Sequence, residues 1–151
     1  MHKKLIVKDV KKNIGFAIRG IVTRQFALIK ESYNANEAVE VSNELGFGFD
    51  KENGIVAVFF NTKFECNNAP FVILEIGCEF NIESNSIQDL LNESKSSIHL
   101  PIAFAKHIAM LTIGTARGIM HEKLTQTDFK QFVLPSVNLN DLVMEDVVIE
   151  L

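Results

Sequence analysis

The chain predicts an α+β domain: a four-stranded antiparallel sheet, then one long helix in the C-terminal half and a short terminal helix. Three observations carry this expectation. Stretches between residues 16 and 82 alternate apolar and polar side chains with the two-residue period of strands. Asn53-Gly54 and Asn67-Asn68-Ala69-Pro70 punctuate them as turns. From Pro101 to about residue 120 the period lengthens to three or four, and the segment is almost wholly apolar.

Residues 16–30 read as one long strand, bent at Gly20, with Phe16, Ile18, Val22, Phe26 and Leu28 in phase. Residues 33–37 are polar, hold Asn34 and Asn36, and make a loop. In residues 39–50, Val39, Val41, Leu45, Phe47 and Phe49 share one face, and Glu40, Ser42, Glu44 and Asp50 share the other. That is a half-buried strand with one wet face. The return strand, 55–66, has Val56, Val58, Phe60 and Phe64 in phase. In a fourth strand, 71–82, Val72, Leu74, Ile76, Cys78, Phe80 and Ile82 alternate with Glu75 and Glu79. The outer side of the sheet is therefore expected to be acidic and solvated, with Glu40, Glu44, Glu75 and Glu79.

Residues 86–92 read as a short helical turn and 94–97 as a loop. Pro101 suits the first turn of a helix, where its missing N–H costs nothing. Phe104, Ile108 and Leu111 follow helical spacing. Ala105, Ala109 and Ala116, with Thr112 between them, form a second stripe of small residues. Gly114 and Gly118 stand four apart, a spacing that permits close backbone approach. A helix apolar on more than one side is buried on more than one side. One side takes the sheet; the other takes the same helix of a second subunit. Ala105, Ala109, Thr112 and Ala116 are accordingly the expected oligomer interface, in a dimer of dimers. Beyond the helix, 121–126 is a polar loop and 127–132 a turn. Pro135 enforces extended chain before it, and Asn140 or Asp141 starts a terminal helical turn. Residues 145–151 alternate acid and aliphatic, as a short strand or a tail.

A chain of 151 residues is a single domain. Its 47% apolar content excludes a disordered chain. A formal charge of −4 leaves no electrostatic footprint for nucleic acid. Lys3, Lys4, Lys8, Lys11 and Lys12 concentrate in residues 1–14, as a solvated face or basic arm. Twelve Phe, one Tyr and no Trp supply rings without polar handles, generous for one core of this size. The surplus points to an oligomer interface or an apolar binding surface. Cys66 and Cys78 are too few for a metal knuckle. Their spacing leaves a disulfide open, but no apolar signal region follows the charged N-terminus, which favours reduced thiols and a cytoplasmic protein. No stretch approaches the ~18 uninterrupted apolar residues of a membrane span.

Motifs for nucleotide, phosphate, serine-nucleophile or zinc-protease chemistry are absent. Of His2, His99, His107 and His121, His107 lies on the apolar helix, with no acid or nucleophile placed beside it. It reads as a helix-face histidine. Glu75 and Glu79 read as solvated sheet-face acids rather than a catalytic pair. No enzyme activity, cofactor or metal is expected.

The order of four long strands, a loop and one long helix resembles the SecB export-chaperone family. Leu100-Pro101-Ile102-Ala103-Phe104-Ala105-Lys106-His107-Ile108 resembles the family's helix opening, and residues 132–142, with Leu134-Pro135-Ser136-Val137-Asn138-Leu139, its closing Leu-x-Pro-x-Asn-Phe segment. The resemblance covers roughly residues 16–144. It implies an ATP-independent chaperone that holds unfolded polypeptides in an apolar groove between the long helix, the loop after the first strand and the terminal helix. Carried onto this chain, that groove is Tyr33, Val137, Leu139, Leu142 and Val143. Glu75 falls where the family carries an acid that docks the motor SecA. The first-strand acids are replaced by Gln25 and Ile29, and the acidic tail gives way to Val147–Leu151. These departures put SecA docking in doubt and leave a dedicated client, such as an antitoxin, as the alternative to export.

The mechanism so implied is thermodynamic. Each aliphatic or aromatic client side chain buried contributes about 1.5–3 kcal/mol, and several grooves on one oligomer add avidity. Two other classes use similar elements. A carrier of an apolar small molecule usually ends on its long helix, whereas about thirty residues follow it here. A hot-dog acyl enzyme places its helix after the first strand rather than the fourth.

Overall fold

The computed structural model describes residues 14–151. The basic cluster Lys3 to Lys12 lies outside them. The expected architecture is present. Strands β1 (Phe16–Leu28), β2 (Glu40–Asp50), β3 (Ile55–Cys66) and β4 (Ala69–Ile82) form one antiparallel sheet. They are followed by α1 (Ser84–Leu90), β5 (Ser97–Leu100), α2 (Ile102–Leu124), α3 (Leu139–Leu142) and β6 (Val147–Glu150).

The strand order is β1-β4-β3-β2, a Greek-key arrangement in which β1 pairs with β4. The hairpins β2–β3 and β3–β4 are set by local chemistry. Gly54 sits at φ +65° after the Asp50 turn, and Asn67 and Asn68 at φ 49° and 62°, conformations that Gly and Asn adopt cheaply. The Asp50 carboxylate accepts from Asn53 N–H at 3.2 Å and Asn53 Nδ2 at 2.7 Å, and these bonds hold its pKa below the usual carboxylate range. Residues 29–39 instead cross from one edge of the sheet to the other.

β1 does not keep one parity. Its register against β4 shifts between Ile18 and Gly20 and again between Thr23 and Gln25. Directly paired residues share a face. Phe16 and Ile18 therefore lie on the core side opposite Ile82 and Phe80, Ile21 and Thr23 opposite Cys78 and Ile76, and Phe26 and Leu28 opposite Leu74 and Val72. Val22, expected in phase with Phe26, pairs with Gly77 and faces outward. Each bulge inserts one residue and flips the alternation.

The core fills the space between the inner sheet face and α2. Val56, Val58, Phe60, Leu74, Ile76 and Phe80 are fully buried, as are Ile108 and Met120 of α2. The helix runs on to Leu124, four residues past its expected end, because Met120 and Leu124 still find core. Its first N–H groups lack intrahelical partners; Ile102 N–H donates to Asp146 Oδ1 at 2.8 Å. Segment 145–151 is thus no free tail. It contains β6, which pairs antiparallel with β5, a strand that begins at the last residue of the expected loop 94–97. Cys66 and Cys78 are both buried free thiols. Cys66 pairs near Ala69 at one end of β3, while Cys78 pairs with Val58. That is about 26 Å along the strand, far beyond disulfide reach. No helix among the described residues is long and apolar enough to cross a membrane.

Candidate functional site

The long helix turns its small side chains inward. Ala105, Ala109, Thr112 and Ala116 are each 0% exposed within the single chain, which corrects their expected place at an oligomer interface. The reason is steric. The inner sheet face is crowded with Phe60 and Phe80, and small residues let the helix backbone settle close upon it. The Thr112 hydroxyl is satisfied by donating to Ile108 O at 2.8 Å. The opposite, solvent side of α2 carries Ala103, His107, Met110, Gly114 and Gly118. Met110 is 53% exposed, and a Cβ added at Gly114 or Gly118 would meet nothing within 4 Å.

After α2 the chain returns along the helix as an extended segment, 132–138, without strand partners. Pro135 supplies no N–H, so the segment depends on side chains for attachment. Arg117 Nε donates to Leu134 O at 2.8 Å and Arg117 Nη2 to Pro135 O at 3.0 Å. Leu134, 1% exposed, plugs into the core. Asn138 caps α3 by accepting from Asn140 N–H at 3.1 Å, and Lys106 Nζ reaches Asn140 Oδ1 at 2.6 Å.

Between this segment and α2 lies an open groove of about 210 Å³, lined by Met110, Ile113, Arg117, Ser136, Val137 and Leu139. Two of the expected groove residues, Val137 and Leu139, are therefore brought together. Leu142 is half-buried against the core. Val143 is 4% exposed and belongs to the core, which corrects its expected place in a binding wall. Changing Val143 to Ala should cost about 2 kcal/mol in urea denaturation; a change below about 0.5 kcal/mol, as at exposed sites, would contradict the burial.

Tyr33 sits elsewhere. It follows a short 3₁₀ turn at Lys30–Ser32 and enters an aromatic cluster. Its ring lies 4.9 Å from Phe71, 5.2 Å from Phe129 and 5.6 Å from Phe132, centroid to centroid. Phe64 joins Phe132 at 5.9 Å. Phe132 is five residues before Val137, about 16 Å of extended chain. The cluster and the groove are thus neighbours along one segment rather than one pocket. Phe129, buried, and Phe132, half-buried, were not expected in the core because their spacing matched no element. The surplus of Phe over other aromatic residues was their signal.

Glu75 lies on the outer sheet face, in a recess shared with Glu44, Gly46, Phe59 and Asn61. It is engaged within the chain: Arg24 Nη1 stands 3.2 Å from Glu75 Oε1, and the same guanidinium lies 4.6 Å over the Phe59 ring. Gly46, Gly48 and Gly77 leave room for that ring to lie against the sheet.

His107 is exposed and packs edge-on to Phe16 at 5.7 Å, and His99 Nε2 meets Ser97 Oγ at 3.1 Å. Among the described residues no three His, Cys, Asp or Glu side chains are grouped to hold a metal. What this arrangement offers is apolar surface with the Arg117 guanidinium in its lining. No family model, no curated protein and no solved structure matches the chain.

Proposed function

We propose that this chain is an ATP-independent holding chaperone of the SecB type, acting in the cytoplasm as a homo-oligomer on unfolded polypeptides. The observation that carries this reading is the open groove beside α2, walled by exposed Met110 and half-buried Val137 and Leu139 over buried Ile113. Val133, on the same extended segment, and Met144, just past α3, are 54% and 78% exposed and add further apolar surface. An extended client with aliphatic side chains gains about 1.5–3 kcal/mol for each one fully buried. Grooves repeated on an oligomer raise weak single-site binding through avidity.

Assembly is supported by two surfaces. The solvent side of α2, with Ala103, Gly114 and Gly118, admits a second helix closely. The edge strand β1 is 13 residues long and carries half-exposed Ile18, Ile21 and Val22 on both its faces. Such an edge associates unless something covers it. Two distinct self-complementary surfaces are what a dimer of dimers requires. A dedicated client such as an antitoxin, rather than exported chains, remains within this reading. The Glu75–Arg24 ion pair leaves a SecA-docking role for Glu75 without support. The carrier reading finds little support, because the interior between sheet and helix is filled by Phe60, Phe80, Ile108 and Met120.

The test is suppression of aggregation of an unfolded test protein, without nucleotide. The wild-type chain should suppress it, and the double variant Val137→Ser with Leu139→Ser should do so more weakly. Each of these half-buried residues should cost about 1 kcal/mol of stability, well under a full core truncation. A wild-type chain that leaves aggregation unchanged would refute the proposal.

A further inference from the structure

We infer that Arg117 makes the groove beside α2 selective for polypeptide segments in which a carboxylate stands next to aliphatic side chains. The inference rests on the holding reading and names the client chemistry that the groove favours.

Arg117 lines the groove together with Met110, Ile113, Val137 and Leu139. Its guanidinium is a planar cation with five N–H groups. Nε and Nη2 are turned to the carbonyls of Leu134 and Pro135, at 2.8 and 3.0 Å. These neutral acceptors fix the plane of the group but leave its charge uncompensated. The end-on edge, formed by Nη1 and the second N–H of Nη2, is the other fork geometry that receives a carboxylate bidentately.

No carboxylate is paired with Arg117 among the described residues; the ion pairs there are Arg24–Glu75 and Lys30–Asp128. The chain holds 19 acidic residues against 15 Lys and Arg, yet among the described residues none forms an ion pair with Arg117. A pre-positioned cation among aliphatic groups, with its plane fixed by the main chain, complements an anionic and apolar ligand. A small free anion would use the charge alone. An extended segment with Glu between two aliphatic residues uses both. The Ser136 hydroxyl, on the same wall, supplies a further donor.

The probes are two short labelled peptides, unstructured and identical except for Leu-Glu-Ile in one and Leu-Gln-Ile in the other. Fluorescence anisotropy should show wild-type protein binding the Glu peptide about tenfold more tightly, the scale of one added charge-assisted bond. In Arg117→Gln, which keeps a donor for the carbonyls but loses the charge, the preference should vanish. Ser136→Glu supplies the missing carboxylate from within the groove. It too should abolish the preference, and it leaves the Arg117 anchor intact should Arg117→Gln fail to fold. Equal binding of the two peptides by wild type overturns the inference, as does a preference that survives Ser136→Glu. Aggregation suppression measured on the same samples separates the two ideas. Holding without preference removes the selectivity alone, whereas no holding and no peptide binding removes the chaperone reading as well.

Discussion

Replacing Phe71 with Ala is expected to destabilise the chain by about 3–5 kcal/mol, the range for emptying a buried aromatic site. Phe71 is 0% exposed and is the hub of the aromatic cluster. Its ring lies 4.9 Å from Tyr33, 5.2 Å from Phe132, 5.5 Å from Phe129 and 6.3 Å from Phe64. Those partners come from four separate pieces of chain: the loop after β1, the turn after α2, the segment that follows it, and β3. Edge-on and tilted aromatic pairs add to plain area burial, and none of the four can follow the others into the void. For a domain of this length the melting temperature should fall by roughly 10 °C or more. The measurement is a urea titration, with the midpoint lowered and the slope unchanged. A loss below about 1 kcal/mol would mean that the cluster does not tie the two loops to the sheet.

Ala109→Asp should leave little folded protein. Ala109 is fully buried within the single chain. An ionised carboxylate there has no cation and no donor, and an uncompensated buried charge costs several kcal/mol. Whole domains hold only about 5–15 kcal/mol in reserve. Met110→Asp, one residue along, faces solvent and should fold normally. If the outer side of α2 joins subunits, Gly114→Asp should lower the assembled mass while keeping the wild-type circular dichroism spectrum. Light scattering and thermal melting on these variants decide the matter. A well-folded monomeric Ala109→Asp would show that the small stripe faces a partner subunit and that the helix orientation is wrong.

The alternation in β2, β3 and β4 was legible except at Phe71, which is buried out of phase with Val72 beside the register shift at Phe64/Glu65. Val56, Val58, Phe60 and Phe64 are buried on one side of β3 as their period predicts, and Glu40, Glu44, Glu75 and Glu79 lie on the other side of the sheet. Gly54, Asn67 and Asn68 marked their turns because few other residues take positive φ without strain. β1 was legible as a strand but not as a surface. A bulge is invisible in a pattern read two residues at a time, so Val22 was placed on the wrong side. The helix was legible in place and period. Which of its sides met the sheet was not encoded in the period.

By itself, then, the sequence determined local matters: where strands, turns and helix lie, which β2–β4 side chains share a face, and that more apolar surface is present than one helix–sheet contact consumes. Periodicity and turn chemistry are properties of neighbouring residues, so they can be read along the chain. The tertiary structure alone decided the rest. It placed β1 beside β4, turned Ala105, Ala109, Thr112 and Ala116 inward, moved Val143 into the core, joined β5 to β6, and set Arg117 in an aliphatic groove with Val137 and Leu139. Each of these depends on which distant surface fits best. Small residues go where a bulky sheet face demands close approach, and that competition is settled by packing in three dimensions.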